Sequence, residues 1–145
     1  MAIFSKTCEY AIRAVFYIAH KSASGDRAGL KDIAAGIDSP ELYLAKILQD
    51  LSRKGLIRSV KGPNGGFYVD ADSLARPLSD IVEAVDGQGL FHGCALGLKQ
   101  CSEINPCPLH DQFKSIRGQI SDLLHRTTIG GFNEELIGGL LSLKK

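Results

Sequence analysis

Residues 30–69 read LKDIAAGIDSPELYLAKILQDLSRKGLIRSVKGPNGGFYV. Leu30, Ile33, Ala34 and Ile37 recur at helical spacing, which predicts a short helix over 30–35 stopped by Gly36. Asp38-Ser39-Pro40-Glu41 starts the next one, with a capping side chain, Pro at the first helical position and an acid in the first turn. Leu44, Ile47, Leu48 and Leu51 carry that helix over 40–54, and Gly55 closes it. The period then changes. Residues 56–60 read as a strand, 61–66 as a glycine-rich turn and 67–69 as a returning strand, the signature of a hairpin.

Before this stretch, Phe4, Cys8, Ala11, Ile12, Val15, Phe16 and Ala19 form one apolar stripe, predicting a helix over 5–21 with Ser5 as N-cap. Residues 22–26 read as a loop. Three helices followed by a hairpin, with a short turn between the second and third, is the winged helix-turn-helix order. After it, Leu78, Ile81, Val82 and Val85 predict a helix over 78–85. Residues 90–107 have no clean period and read as a loop. Leu109, Phe113, Ile116, Ile120, Leu123 and Leu124 then stripe a long amphipathic helix, opposite a face of Gln112, Lys114, Arg117 and Asp122. Such a stripe needs a cover, and a second copy of the same helix is the economical one. A last short helix is expected over 133–141, and the terminal Leu143-Lys144-Lys145 is expected to fray. The expected fold is mainly α with a small β-hairpin wing. A winged helix-turn-helix domain spans 1–86, a cysteine-bearing loop 87–107, and a dimerisation helix with its tail 108–145.

The chain has 145 residues, 44% of them hydrophobic and 23% charged, enough for one domain with a buried core. The net charge is +1, so no global charge argument for nucleic acid exists. Residues 1–70 hold ten Lys and Arg against seven Asp and Glu, and residues 71–145 hold seven against nine. The mildly basic half is the winged half, which suits an anionic partner there. No apolar run approaches the ~20 residues of a membrane span. The first residues lack a signal peptide's uninterrupted apolar core, so a cytoplasmic location is expected, where thiols stay reduced.

In a helix-turn-helix the second helix of the pair enters the major groove with its amino-terminal residues at the base edges. Here that end offers Ser39, Glu41, Leu42, Tyr43, Ala45 and Lys46. Ser39 and Tyr43 suit phosphate or bases, and Lys46 suits phosphate or guanine. Lys61 and Asn64 lie on the wing, Arg58 at its base, and Lys6 at the start of the first helix. Plainer roles compete with these: Tyr43 packing beside Phe16, Lys61 as a solvated hairpin charge.

Cys94, Cys101 and Cys107 fall within fourteen residues, followed by His110. Loop thiolates can wrap one centre, because soft sulfur suits iron–sulfur clusters and zinc. His110 lies one helical turn from Cys107, so three thiolates and one imidazole complete four ligands. A zinc site, a metal-free thiol switch and an inert loop are the other readings. Cys8 lies on the apolar stripe and reads as a small core residue. Glu9 can pair with Arg13 along its helix, His92 is a distant further ligand candidate, and His20 and His125 belong to no motif. The chain has no C-x-x-C, no paired catalytic carboxylates and no phosphate-cradling loop, since its Gly-rich turn joins two strands. An enzyme is therefore not expected.

The segments SKTCEYAIRA (5–14), LSRKGLIRSVKGPNGGFY (51–68), IVEAVD (81–86), the cysteine run and CPLHDQF (107–113) resemble the Rrf-two family of winged-helix regulators, from residue 1 to about 135. The resemblance implies a homodimer crossed through the long helix and a near-palindromic double-stranded DNA operator. It also implies control of operator binding by an iron–sulfur cluster sensing redox, nitric oxide or iron–sulfur status, one that aerobic preparation can remove. Members resembling the iron–sulfur assembly regulator use a histidine three residues after the last cysteine, which matches His110, with a 2Fe–2S cluster. Members resembling the nitric-oxide repressor use a carboxylate from the first helix of the other subunit, which matches Glu9, with a 4Fe–4S cluster. His110 is favoured, because sulfur and imidazole are the usual ligands. The family spacing is commonly five and five, whereas six residues here separate Cys94 from Cys101 and five separate Cys101 from Cys107.

Overall fold

The structure is a computed structural model that describes residues 3–131 and 143. In chain order it contains α1 (Lys6–Ala23), α2 (Leu30–Ile37), α3 (Glu41–Arg53), β1 (Arg58–Val60), β2 (Gly66–Tyr68), α4 (Ala71–Leu74), α5 (Leu78–Asp86), α6 (Gly89–His92) and α7 (His110–Arg126). The helix expected over 133–141 lies outside the described residues.

Helix α1 is the centre of the core. Ser5 caps it, its hydroxyl accepting from the Cys8 N–H at 3.0 Å. The helix buries more than the expected stripe, adding Tyr10, Ala14 and Ile18, because α2, α3, α5 and β2 all pack on it. Cys8 is wholly buried among them, as its place on the stripe predicted.

Helix α2 does not stop at Gly36. It runs to Ile37, and Asp38 ends it in the left-handed conformation at φ 55°, with its N–H on the Ala34 carbonyl. Asp tolerates that conformation better than most residues, so it can replace glycine there. Gly36 serves packing instead, since a Cβ at that position would lie 2.2 Å from the Tyr17 ring. The expected side-chain cap on α3 is also absent. Pro40 itself occupies the cap position, and the Ser39 hydroxyl donates to the Pro40 carbonyl at 3.3 Å. The α2–α3 turn is sealed from behind by Arg13, which donates to the Ile37 carbonyl at 2.9 Å.

The hairpin forms as expected but with shorter strands, pairing Arg58 with Tyr68, Ser59 with Phe67 and Val60 with Gly66. Leu56 and Ile57 precede the ladder and are spent on the core. Ala28 and Phe67 exchange backbone hydrogen bonds at 2.9 and 2.8 Å, which hold the wing to the body. Gly66 makes this possible: its φ is +143°, and a Cβ there would lie 2.9 Å from the Ala28 carbonyl oxygen.

Helix α7, the last among the described residues, has two characters. Its far end enters the core of the winged domain, with Leu124 and Ile129 buried. The chain after it is stitched to the α4–α5 connection, Leu78 N–H to Thr127 at 2.8 Å and Ile129 N–H to Arg76 at 2.9 Å. Near its start Leu109, Phe113 and Ile116 remain 37–50% exposed, and Leu123 further on is 48% exposed. Arg117, expected on the solvated face, instead donates to the Gly93 carbonyl at 2.7 Å beside the first loop cysteine.

Candidate nucleic-acid interface and thiol site

Helix α3 presents Glu41, Leu42, Tyr43, Lys46 and Gln49 to solvent. Tyr43 is braced from α1. Its ring meets Tyr10 edge-on at 5.6 Å, and its hydroxyl bonds the Thr7 hydroxyl, so α1 buttresses it. Leu42 is 85% exposed. An exposed apolar side chain at the amino end of a helix that enters the major groove can contact a thymine methyl.

The remaining expected contacts divide. Lys61 is exposed on the hairpin, and the Asn64 side chain sits at its tip while its carbonyl accepts from Arg27 at 3.1 Å. Lys6 is exposed and pairs with Glu9 at 3.2 Å. Ser39 is half-buried in the α2–α3 turn. Arg58 is engaged by Asp70 at 3.2 Å. Arg53, which was not among the expected contacts, lies beside the wing. It lines a groove of about 410 Å³ between α3 and the wing with Gln49, Ser52, Ser59 and Lys61. The Ser52 and Ser59 hydroxyls lie 3.3 Å apart across it. Among the described residues neither Arg53 nor Lys61 enters an ion pair. Two cations and two hydroxyls in one groove are groups of the kind that bind a phosphate. The signal was present in the sequence, since Lys46, Gln49 and Arg53 share one helix face at spacings of three and four.

The thiol site lies between α6 and α7. The sulfurs of Cys94, Cys101 and Cys107 lie within 4.8 Å of one another, and all three residues are half-buried and free of disulfides. The Cys94 and Cys107 sulfurs are 3.8 Å apart. The long first interval folds as two end-to-end turns, Gly97 N–H to the Cys94 carbonyl at 2.9 Å and Cys101 N–H to the Leu98 carbonyl at 3.3 Å. Gly97 takes φ +73° to make the first of them. The extra residue is thereby absorbed and Cys101 returns beside Cys94.

His110 opens α7. Its Nδ1 lies 3.3 Å from the Cys101 sulfur, although it is not within 4.8 Å of all three. Glu9 is on α1, in its ion pair with Lys6 and not with Arg13. His92 is exposed at the end of α6.

The cysteines differ electrostatically. The Leu98 N–H aimed at the Cys94 sulfur, reinforced by the Leu96 N–H and the two neighbouring thiols, lowers Cys94 to about 7. Cys101 accepts the Cys107 N–H, which favours its thiolate, but burial, hydrogen bonding to the Cys107 and Cys94 sulfurs and the charge of Cys107 outweigh this and raise it. Cys8 is pushed to about 12, first by burial and then by the nearby Asp86 carboxylate.

The three sulfurs fit a metal or cluster. A tetrahedral metal holding sulfur at about 2.3 Å keeps two such ligands about 3.8 Å apart, the separation already present between Cys94 and Cys107. No helix among the described residues is long and apolar enough to cross a membrane.

The family profile of Rrf2, described as iron-dependent transcriptional regulators, matches residues 4–134. An HTH-type transcriptional regulator of Aquifex aeolicus is 35% identical over 130 residues, covering 88% of each chain. The HTH-type transcriptional regulator IscR of Vibrio campbellii is 29% identical over 83% of this chain and 71% of its own length. Among solved structures, CymR, the global cysteine regulator of B. subtilis, superposes with a TM-score of 0.75 at 21% identity, over 92% of this chain and 98% of that one. IscR of T. potens superposes with a TM-score of 0.72 at 20% identity, over 95% and 90%. These two likenesses speak for the fold. The relatives are transcriptional regulators rather than enzymes, and the chain belongs to the Rrf2 (Rrf-two) family of winged-helix transcriptional regulators.

Proposed function

We propose that this DNA-binding regulator acts as a homodimer on a near-palindromic operator, and that an iron–sulfur cluster held by Cys94, Cys101, Cys107 and His110 controls its affinity. The observation that carries the reading is the convergence of three free, half-buried cysteine sulfurs in the segment joining α6 to α7. The 2Fe–2S form is favoured over 4Fe–4S, because His110 already has a ring nitrogen 3.3 Å from Cys101. Glu9, offered by a partner subunit, is the alternative fourth ligand.

Dimerisation is supported by an apolar groove of about 590 Å³ beside Cys94, lined by Ile3, Leu90, Phe113, Ile116 and Ile120. Covering it with a second α7 buries the exposed half of the stripe. When bound, a cluster supplies a centre sensitive to oxidants and nitric oxide. The protein supplies the leverage. Cys94 hangs from α6, and Cys107 and His110 begin α7, so holding these donors together fixes the two helices against each other. Two recognition helices must stand about 34 Å apart to enter successive major grooves, and the angle at which α7 leaves the loop sets that spacing in a dimer. The phosphate contacts of Arg53, Lys61 and Lys46 then either meet both half-sites or miss one.

A second reading is favoured by the 3.8 Å separation of Cys94 and Cys107 and by the ready ionisation of Cys94. The Cys94 thiolate can attack the O–O bond of a peroxide, expelling hydroxide and becoming a sulfenic acid, and the Cys107 thiol can then displace its hydroxyl as water to close a disulfide, with no metal involved. A CymR of Staphylococcus aureus in its oxidised form is 26% identical, with a TM-score of 0.67 over 92% of this chain and 97% of that one. Anaerobic purification with iron and sulfide quantification and visible absorption separates the two. Iron, sulfide and a visible chromophore are expected. A colourless protein after reconstitution, with a Cys94–Cys107 disulfide after peroxide treatment, supports the second.

A further inference from the structure

We infer that Glu103 is the positioning residue of His110, setting its ring so that Nδ1 is the nitrogen offered to the sulfurs. Its purpose rests on the cluster reading above, but its geometry does not. His110 is nearly enclosed, with 9% of its side chain exposed. One ring nitrogen, Nδ1, is 3.3 Å from the Cys101 sulfur. The other, Nε2, is buried and makes no hydrogen bond. Yet an acceptor stands 3.6 Å away, the Oε1 of Glu103.

A neutral imidazole carries one N–H and one lone pair, and the partner of one nitrogen decides which the other keeps. A carboxylate beside Nε2 draws the proton there and leaves the lone pair on Nδ1, facing Cys101. Metal-binding histidines commonly have such a carboxylate behind them, and it raises their basicity as donors.

Glu103 is placed for this by structure on both sides. Ser102 and Asn105 close a tight turn, with Ser102 N–H on the Asn105 carbonyl and Asn105 N–H on the Ser102 hydroxyl, both 3.1 Å, and Glu103 sits in that turn. Its carboxylate is gripped by the Lys114 ammonium. Lys114 is one turn beyond His110 on α7, so both side chains address the same acid. Closing Nε2 onto Glu103 needs a movement of about half an ångström to reach ordinary hydrogen-bond length. Glu9, the rival fourth donor, has no comparable arrangement and is already paired with Lys6.

The test reads the tautomer directly. Reduced, metal-free protein labelled with ¹⁵N-histidine is examined at mildly alkaline pH, with the His110 signal assigned by His110→Gln. Wild type is expected to show the Nε2–H form, Glu103→Gln to retain most of it through its amide oxygen, and Glu103→Leu to lose it. Because Glu103 is 65% exposed, the leucine variant should fold. In reconstituted protein the visible chromophore of Glu103→Leu should decay in air about tenfold faster. An Nδ1–H form in wild type, or a tautomer unchanged in Glu103→Leu, overturns the inference whatever the cluster does. If the tautomer depends on Glu103 but wild type takes up no cluster, the positioning role stands and the cluster reading falls.

Discussion

Asp86, the last residue of α5, accepts two hydrogen bonds from Ser5, one from its backbone N–H at 2.9 Å and one from its hydroxyl. The end of α5 is thereby fastened to the start of α1. Two residues further along α1, the Thr7 hydroxyl bonds Tyr43 on the recognition helix. One residue beyond Asp86 the chain bends at Gly87, with φ +76°, towards α6 and the cysteines. Asp86→Ala removes the clamp. Its loss should lower stability by about 1 kcal/mol, the net value of an ordinary hydrogen bond, because Asp86 is exposed to solvent that screens its charge. Urea titration measures this, and operator affinity should fall further than the stability loss explains. Unchanged binding by a fully folded Asp86→Ala would show that the clamp serves stability alone.

The wing offers a pH test. The Ser73 N–H on the Asp70 carboxylate, with Arg58 beside it, holds Asp70 below the ordinary carboxylate range. A depressed folded-state value means that the contribution is present above the unfolded value of about 3.9 and is lost as pH falls through the folded one. Asp70→Ala should therefore melt below wild type at neutral pH, and the gap in Tm should close in acid. A gap independent of pH would contradict the cap.

Thiol labelling distinguishes the cysteines. In reduced, metal-free protein, iodoacetamide should modify Cys94 first, at a rate rising through pH of about 7 and then levelling. Cys8, raised to about 12 and wholly buried, should stay unmodified until the protein unfolds. Peptide mass spectrometry after timed quenching reads both. Equal labelling of the two at neutral pH would contradict the site as described.

At the DNA face, Arg53→Ala and Lys61→Ala should each weaken binding to all sequences and reduce the salt slope by about one. Arg58→Ala should leave that slope nearly unchanged, because Arg58 is turned to Asp70. Leu42→Ala should instead relax preference at one base-pair position, by about 1 kcal/mol. Fluorescence anisotropy across a salt series, on duplexes selected from a random pool by the wild-type chain, checks all four.

Much of this was legible before any coordinates. The helix-helix-hairpin order over 30–69 follows from apolar spacing and a change of period, signals strong enough to survive folding. Helices α4 and α6 are four residues each, shorter than a period can reveal. Gly36 looked like a helix stop because glycine usually is one, and only the Tyr17 ring beside it gives the other reason. The burial of Ile129 depends on partners near residues 74–78 that no local pattern announces. At the thiol site, cysteine spacing and the one-turn offset of His110 marked four positions. Glu103 carried no mark, being one exposed acid in a loop, and became meaningful only with its distance to His110.

The central claim is that what the three cysteines hold decides operator affinity. The most direct measurement is anaerobic binding to the selected duplex by wild type with and without its reconstituted cluster, beside Cys101→Ala treated identically. The account predicts at least a tenfold difference between the two wild-type forms and none for Cys101→Ala. Equal affinity of the two wild-type forms, with the cluster demonstrably present in one, would contradict it.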